Sequence, residues 1–229
     1  MIIRDFINLF FPPVCAICGT PLVGDEHDLC ARCLLKLPEA LNAEGDDNLA
    51  EGRYRGRFPF HAATAMLHFT KNNDTRRLLH QIKYHGKQSL AVMMGRQMGL
   101  RLAADPRFDG VEILVPVPLH RKKQRRRGYN QSELLCRGIA QTFARPIVSD
   151  NLKRLRNTHT QTHMNRQERM DNMKDGFLLT RPEQFAGRHI LLVDDVVTTG
   201  ATTEACCKAL LAAANIRISI AALAISGDN

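Results

Sequence analysis

The sequence of 229 residues contains no tryptophan and three tyrosines, and it lacks a long uncharged hydrophobic run. A membrane-spanning helix needs roughly 18 consecutive apolar residues, and the early candidate, residues 1–11, is interrupted by Arg4 and Asp5. The same segment has no small-residue cleavage site and is followed by Pro12 and Pro13, so it is not typical of a signal peptide. We therefore expect a cytoplasmic protein without membrane insertion. The shortage of aromatic residues also argues against extensive base stacking.

Hydrophobic residues make up 44% of the chain and charged residues 24%, which is ordinary usage for a globular protein. This composition excludes a disordered, fibrous or low-complexity protein, because enough apolar surface is present to form a core. At roughly 150 residues per domain, the length predicts one full domain and a small additional one.

The positive charge is concentrated in one place. The chain has 32 Lys and Arg against 23 Asp and Glu, a net charge of +9. Six of these cations lie within residues 121–127, namely Arg121, Lys122, Lys123, Arg125, Arg126 and Arg127. A run of this density can neutralise a diphosphate, bind a nucleic-acid backbone or form a solvated face, and charge alone does not choose between these.

Four of the seven cysteines have the spacing of metal ligands. Cys15 and Cys18 form one Cys-x-x-Cys pair, and Cys30 and Cys33 form a second after eleven intervening residues. Two such pairs complete a tetrahedron of thiolates, which predicts a structural zinc ribbon. Four thiolates leave no position for water, so we expect no catalytic role for this zinc. The alternative is two disulfides or plain core cysteines, which is unusual in a chain without an export signal.

A polar, glycine-bearing stretch after the cysteines indicates a domain boundary. We predict a zinc-ribbon domain over residues 1–45, a linker over 46–57 and a second domain over 58–229. In the second domain, hydrophobic patterns typical of strands and helices alternate along the chain. This alternation predicts an α/β fold with a mostly parallel sheet. Expected strands cover 62–69, 111–117, 190–193 and 216–225, and expected helices cover 75–84, 89–104, 130–144 and a stretch ending near 214.

The most informative stretch follows the strand predicted at 190–193. It begins with Asp194 and Asp195, which can bind sugar hydroxyls directly or through a hard cation. Hydroxyl donors and a glycine come next, before a helix whose first amides can receive a phosphate. These residues are Thr198, Thr199, Gly200, Ala201 and Thr202. A simple acidic helix entrance is the structural alternative. No lysine follows the glycine, so this is not a Walker loop.

The string I-L-L-V-D-D-V-V-T-T-G-A-T resembles the phosphoribosyl-pyrophosphate signature of type I phosphoribosyltransferases. The segments F-P-P-V-C-A-I-C, L-L-H-Q-I-K-Y-H-G-K, V-P-V-P and R-R-G-Y-N-Q resemble the ComF/GntX family over nearly the whole chain. The resemblance implies a type I phosphoribosyltransferase-like domain after a zinc ribbon. It also implies binding of phosphoribosyl pyrophosphate with Mg²⁺, and a link to competence, the uptake of DNA.

The resemblance assigns roles to particular residues. Asp194 and Asp195 would address the ribose hydroxyls and stabilise the reacting sugar, and residues 198–202 would hold its 5′-phosphate. The family segment near the diphosphate matches Pro116, Val117, Arg127, Asn130 and Gln131. Two of these have equally plain explanations, because Pro116 can simply end a strand and Asn130 can cap a helix.

The polar stretch 158–169 resembles the mobile lid of these transferases, from which Arg166 or Arg169 could reach the diphosphate. Two hypotheses about function follow. One is a phosphoribosyltransferase with an unknown acceptor. The other is a non-catalytic module of the DNA-uptake machinery that binds single-stranded DNA or competence proteins, mainly through the basic run and the zinc ribbon.

Overall fold

The computed structural model describes residues 12–40, 48–155 and 176–227. Its helices are α1 (Ala31–Leu35), α2 (Leu49–Tyr54), α3 (Asp74–Tyr84), α4 (Gln88–Ala103), α5 (Arg121–Arg127), α6 (Gln131–Thr142) and α7 (Ala201–Leu210). Its strands are β1 (Ala63–Phe69), β2 (Ile113–Pro116), β3 (Leu152–Arg154), β4 (Phe177–Leu179), β5 (His189–Val197) and β6 (Arg217–Ser226). Short 3₁₀ helices occupy Pro106–Phe108 and Pro182–Phe185. No helix within these ranges is long and apolar enough to cross a membrane.

The main sheet has four parallel strands in the order β1-β6-β5-β2. Its central strands are continuous apolar runs, as expected for strands that are covered on both faces. Ile190, Leu191, Leu192 and Val193 of β5 are all buried. One core lies between one face of the sheet and helices α3, α4 and α6. A second core lies between the other face and α7 together with the paired strands β3 and β4. The α/β fold with a parallel sheet is therefore confirmed.

Helices α4 and α6 pack with their backbones unusually close. A Cβ atom on Gly95 would lie 2.3 Å from the Leu135 carbonyl oxygen, and one on Gly138 would lie 2.1 Å from the Val92 carbonyl oxygen. Only glycine permits this approach. The contact holds the middle of α6, whose N-terminal end carries Asn130 and Gln131, against α4.

Most predicted elements agree with the structure. The sequence pattern does not predict the short strands β3 and β4, and three further features add to or change the prediction. Strand β5 extends through Asp194 and Asp195 to Val197, because hydrogen bonds to β6 continue past the apolar run. The basic run forms α5, which is closed by Gly128 with a φ of +82°. Helix α2 lies inside the stretch that the sequence predicts to be a linker, because Asn48 caps it and Tyr54 is buried in the core.

The zinc-ribbon segment packs directly on the parallel-sheet domain. The backbone amide of His68 in β1 donates to the Pro38 carbonyl at 2.8 Å, and the Ser89 hydroxyl donates to the Asp28 carboxylate at 3.0 Å. Buried ribbon residues such as Leu29 belong to the same core as α3 and α4. The ribbon therefore shares apolar surface with the larger domain.

Candidate active site and zinc site

A cavity of about 150 Å³ opens at the carboxyl ends of β2 and β5. In parallel sheets this edge is where ligands bind, because the loops there are free of the sheet's own hydrogen bonding. We call this cavity the strand-end pocket. It is lined by Lys83, Val117, Pro118, Leu119, Lys123, Arg127, Asn130, Gln131, Ser132, Arg154, Asp194, Asp195, Val196 and Thr202. Residues from five separate stretches of the chain thus meet in one place.

The two adjacent acids have different surroundings. Asp194 is buried, and its Oδ1 accepts hydrogen bonds from the Asp195 amide at 2.8 Å and from the Ser132 hydroxyl at 3.4 Å. Asp195 lies nearer the surface, with its Oδ2 at 3.0 Å from the Nζ of Lys83. The pair therefore divides into an inner carboxyl that accepts two internal hydrogen bonds and an outer one that is paired with a lysine, and both acids line the pocket.

Burial raises the pKa of Asp194 to about 7, and the nearby charge of Asp195 contributes to the rise. The Asp195 amide, Lys83 and the Ser132 hydroxyl oppose this shift without cancelling it. Taking a carboxylate out of water disfavours its charged form, and a like charge beside it does the same. Near neutral pH, Asp194 is therefore partly protonated.

Helix α5 divides the basic run between the pocket and the solvent. Lys123 and Arg127, four residues apart on one face of the helix, line the strand-end pocket. Lys122, Arg125 and Arg126 are exposed and do not line it. The guanidinium of Arg127 also lies 5.1 Å from the centroid of the Tyr84 ring. Only part of the run is therefore placed to bind a ligand in this pocket.

Asn130 and Gln131 begin α6 at the wall of the pocket. The side chain of Asn130 caps the helix by accepting from the Ser132 amide at 3.1 Å and donates to the Val117 carbonyl at 3.0 Å. Gln131 is 1% exposed, and its Nε2 has no hydrogen-bond partner within the described part of the chain. A buried donor without an acceptor is costly, so this amide is suited to receive an oxygen from a ligand.

The turn into α7, residues 198–202, is the segment that the sequence predicts to hold a phosphate, and we call it the anion cradle. Gly200 adopts a φ of +77°, and the exposed Thr198 and Thr199 precede it. Arg57 closes one side of this turn: its guanidinium donates to the Thr199 carbonyl at 2.7 Å and forms an ion pair with Glu204. The α7 amides and the threonine hydroxyls therefore lie beside a fixed cation.

The structure brings together seven of the predicted site residues: Val117, Arg127, Asn130, Gln131, Asp194, Asp195 and Thr202 line the strand-end pocket. Thr198, Thr199, Gly200 and Ala201 form the adjoining turn outside its lining. Pro116 does not line it either, because this residue pairs with Val193 inside the sheet. Arg169, Arg166 and the predicted lid at 158–169 lie outside the described residues.

Sequence reasoning missed three polar residues of the pocket: Lys83, Ser132 and Arg154. Lys83 stands in the segment L-L-H-Q-I-K-Y-H-G-K, whose resemblance to the family was the available signal. Ser132 follows the R-R-G-Y-N-Q string directly. Arg154 has no local signal, since it reaches the pocket only because β3 pairs with β4 beside α7.

The four predicted zinc ligands form one cluster. The sulfur atoms of Cys15, Cys18, Cys30 and Cys33 all lie within 4.8 Å of one another. The Sγ atoms of Cys18 and Cys30 are 3.8 Å apart, which is the edge of a tetrahedron with Zn–S bonds of about 2.3 Å. Hydrogen bonding to Thr20 lowers the pKa of Cys18 to about 6, so its thiolate forms readily. The cluster has the geometry of a structural zinc site.

Comparison with known protein families agrees with both parts of the chain. Residues 6–44 match the double zinc ribbon domain family, and residues 131–228 match the phosphoribosyl transferase domain family. The class is thus a zinc ribbon followed by a phosphoribosyltransferase domain. Among solved structures, the glutamine phosphoribosylpyrophosphate amidotransferase of B. subtilis is 14% identical with a TM-score of 0.44, covering 63% of this chain and 30% of that one.

Two related proteins match this chain over different lengths. The DNA utilization protein YhgH of Salmonella typhi is 30% identical over 214 residues, which is 89% of this chain and 92% of that protein. Competence protein F of Haemophilus influenzae is 38% identical over 100 residues, which is 43% of this chain and 44% of that protein. The chain belongs to the ComF/GntX family.

Proposed function

We propose that the protein binds phosphoribosyl pyrophosphate together with Mg²⁺ and transfers its ribosyl phosphate to an acceptor. The observation that carries this proposal is the strand-end pocket. It sets two carboxylates of β5 beside four cations, Lys83, Lys123, Arg127 and Arg154, next to the anion cradle before α7. A ligand that fits this arrangement has hydroxyl groups in the middle and phosphate groups at both ends.

The order of residues along the pocket supports one orientation of the donor. Its 5′-phosphate would bind the turn at residues 198–202, which supplies threonine hydroxyls and the N-terminal amides of α7. Its ribose hydroxyls would meet Asp195, the outer acid. Its diphosphate would then lie toward Lys123, Arg127 and the unpartnered amide of Gln131.

The reaction would break the bond between the anomeric carbon and the diphosphate oxygen, and the electron pair would leave with the diphosphate. A lone pair of the acceptor would form the new bond at the same carbon. Positive charge builds on the ribose ring in between, and the carboxylate of Asp195 is placed to stabilise it. The basic end of the pocket would stabilise the leaving diphosphate in the same way.

The acceptor atoms that line the pocket are oxygens, and oxygen atoms are the ligands that Mg²⁺ prefers. Mg²⁺ needs only one or two carboxylates when the substrate's phosphates and water complete its shell. Both acids line the pocket, but Asp194 already accepts two internal hydrogen bonds, so Asp195 is the carboxylate better placed to hold the cation. When bound, the cation would offset the negative charge of the diphosphate.

Calorimetric titration with phosphoribosyl pyrophosphate tests the proposal. We expect binding that requires Mg²⁺ and falls at least tenfold in Asp195→Asn, which keeps the volume of the side chain and removes its charge. Asp150→Asn is the matched control, because this exposed carboxylate pairs with Arg181 outside the pocket. Absence of donor binding by the unaltered protein, or equal binding by Asp195→Asn, would overturn the proposal.

A role in DNA uptake is part of this proposal, with competence proteins as partners. Its support is the naming of two relatives, a DNA utilization protein and a competence protein. Deleting the gene should lower the uptake or use of external DNA, and the Asp195→Asn gene should fail to restore it if the donor pocket is needed. Full restoration by that variant would separate DNA uptake from the pocket.

A second candidate function is binding of single-stranded nucleic acid, and one surface favours it. A groove of about 440 Å³ lies between the zinc ribbon and α3. Its lining comprises Ala16, Ile17, Lys71, Asn72, Asn73, Arg76, Arg77, His80 and Gln81. Three cations, two asparagine amides and a histidine in one groove suit a phosphate backbone.

Measurement of single-stranded DNA binding at several salt concentrations tests this second function. We expect binding to weaken steeply with salt and to weaken further in Lys71→Ala/Arg76→Ala, as well as when Arg125, Arg126 and Arg127 become alanine. Lys153→Ala, an exposed lysine of β3 outside the groove, should bind as the unaltered protein does. Binding that depends on neither salt nor these cations would exclude this function.

A further inference from the structure

Lys83 is a partly buried cation in direct contact with the outer acid of the strand-end pocket. Its Nζ lies 3.0 Å from the Oδ2 of Asp195, and the two side chains are 18% and 13% exposed. Within the described ranges, Asp195 forms no other ion pair. The carboxylate proposed for the ribose hydroxyls is therefore already neutralised by a lysine from α3, so a ligand that uses Asp195 must either share this lysine or move it.

The residues on both sides of Lys83 are fixed against the basic end of the pocket. The hydroxyl of Tyr129 donates a hydrogen bond to the carbonyl of Ile82, and the guanidinium of Arg127 stacks on the ring of Tyr84. Arg127 and Tyr129 belong to the segment proposed for the diphosphate. These two contacts hold the end of α3 that carries Lys83 beside that segment. Lys83 lines the same pocket as Arg127 and Gln131.

Charge and unsatisfied donors both favour an anion at this end. The pocket lining contains four cations and two carboxylates, one of which is Asp194 with its raised pKa. The Nε of Arg127 and the Nε2 of Gln131 are buried and have no hydrogen-bond partner in the part of the chain that the structure describes. A diphosphate supplies both acceptor oxygens and negative charge to these groups.

We propose that Lys83 is a ligand of the donor's diphosphate and changes partner when the donor binds. In the free pocket its ammonium neutralises Asp195. In the loaded pocket the ammonium binds a diphosphate oxygen, and Asp195 is released to the ribose hydroxyls. A lysine suits this exchange, because its charge is carried on a flexible four-carbon stem. This inference rests on the proposed binding of phosphoribosyl pyrophosphate.

The test compares two ligands that differ only in the diphosphate. Phosphoribosyl pyrophosphate and ribose 5-phosphate are titrated with Mg²⁺ into the unaltered protein, Lys83→Met, Lys83→Arg and the control Lys36→Met, which changes an exposed lysine of the ribbon. We expect Lys83→Met to bind the diphosphate donor at least tenfold more weakly and to bind ribose 5-phosphate as well as the unaltered protein or better. Lys83→Arg should recover part of the loss, and Lys36→Met should lose nothing.

An equal loss for both ligands would overturn the inference, because Lys83 would then only position Asp195. Unchanged donor binding by Lys83→Met would overturn it as well. If Lys83→Met does not fold, Lys83→Gln takes its place. Competition by inorganic diphosphate replaces the second titration if ribose 5-phosphate binds too weakly to measure, and Lys83→Met should then be less sensitive to this competitor. Failure of the unaltered protein to bind the donor would instead contradict the proposed function.

Discussion

The zinc cluster takes all four ligands from residues 15–33, whereas the strand-end pocket collects its lining from residues between 83 and 202. In the cluster, identical atoms at short spacing surround one point. In the pocket, a lysine of α3, the start of α6, an arginine of β3 and two acids of β5 meet because the sheet brings them together. Local spacing is therefore enough to specify the first site, while the second exists only when the whole domain is folded.

Removal of zinc should have the largest effect, and it should be confined to the ribbon. A structural zinc site contributes on the order of 10 kcal/mol to folding of its segment. We expect a chelator to release one zinc per chain and to abolish hydrogen-exchange protection around residues 12–40, while β5 and β6 stay protected. Cys33→Ser should lose zinc, and Cys136→Ala, a buried cysteine outside the cluster, should retain it. Absence of zinc from the purified protein would contradict the site, and loss of protection in β5 would show that the two regions unfold together.

Replacement of the inner acid should change how stability depends on pH. In the unfolded chain, Asp194 loses its proton near 3.8, the ordinary pKa of an aspartic acid, whereas in the folded protein it holds the proton up to about 7. Between these values the folded state binds the extra proton, so the stability of the unaltered protein falls as the pH rises. Relative to Asp194→Asn, which does not titrate, the loss should be on the order of 4 kcal/mol and complete about one unit above pH 7.

Thermal or denaturant unfolding of both proteins from pH 4.5 to 8.5 provides this measurement. Asp150→Asn serves as the control, because the Arg181 guanidinium beside Asp150 lowers the pKa of its carboxyl instead. A constant difference between the unaltered protein and Asp194→Asn across this range would show that the inner acid is ionised throughout.

The smallest expected effect concerns the anion cradle. Gly200→Ala places a Cβ 2.9 Å from the Cε1 of the buried Tyr54 and requires alanine at a φ of +77°. Gly187→Ala has a similar backbone strain at a φ of +69°, with nothing within 4 Å of the added atom. The strain costs about 1 kcal/mol in each variant. We expect Gly200→Ala to lose roughly 1 kcal/mol more in denaturant unfolding, since overpacking adds to it. If both variants lose the same free energy of unfolding, α2 has shifted to make room for the added Cβ at residue 200.

The sequence predicted the four strands of the parallel sheet and most helices of that domain well, because their apolar periodicity is local, but it did not predict β3 and β4. It also predicted the helix cap at Asn130, whose side chain accepts from the Ser132 amide. It was less successful at residues 46–57, where α2 forms although its segment is polar. Asn48 caps this helix, and Tyr54 reaches the core beside Gly200. No local sequence pattern indicates that contact.

The sequence also predicted some features of the candidate site better than others. Asp194, Asp195 and the turn at 198–202 are adjacent in the chain, so their order alone indicated a sugar and a phosphate. Neighbours in sequence can still differ in environment, and the structure buries Asp194 while pairing Asp195 with Lys83. The basic run is likewise split between the pocket and the solvent, since only one face of α5 lines the pocket.

By itself, the amino-acid sequence determined the ligands of the zinc cluster, the alternation that forms a parallel sheet and the family to which the chain belongs. These depend on spacing and periodicity over a few residues. The tertiary structure alone decided which acid is buried, which cations surround the pair and that Lys83 neutralises Asp195. Burial and charge pairing depend on every element packed around a group, and those elements come from distant parts of the chain.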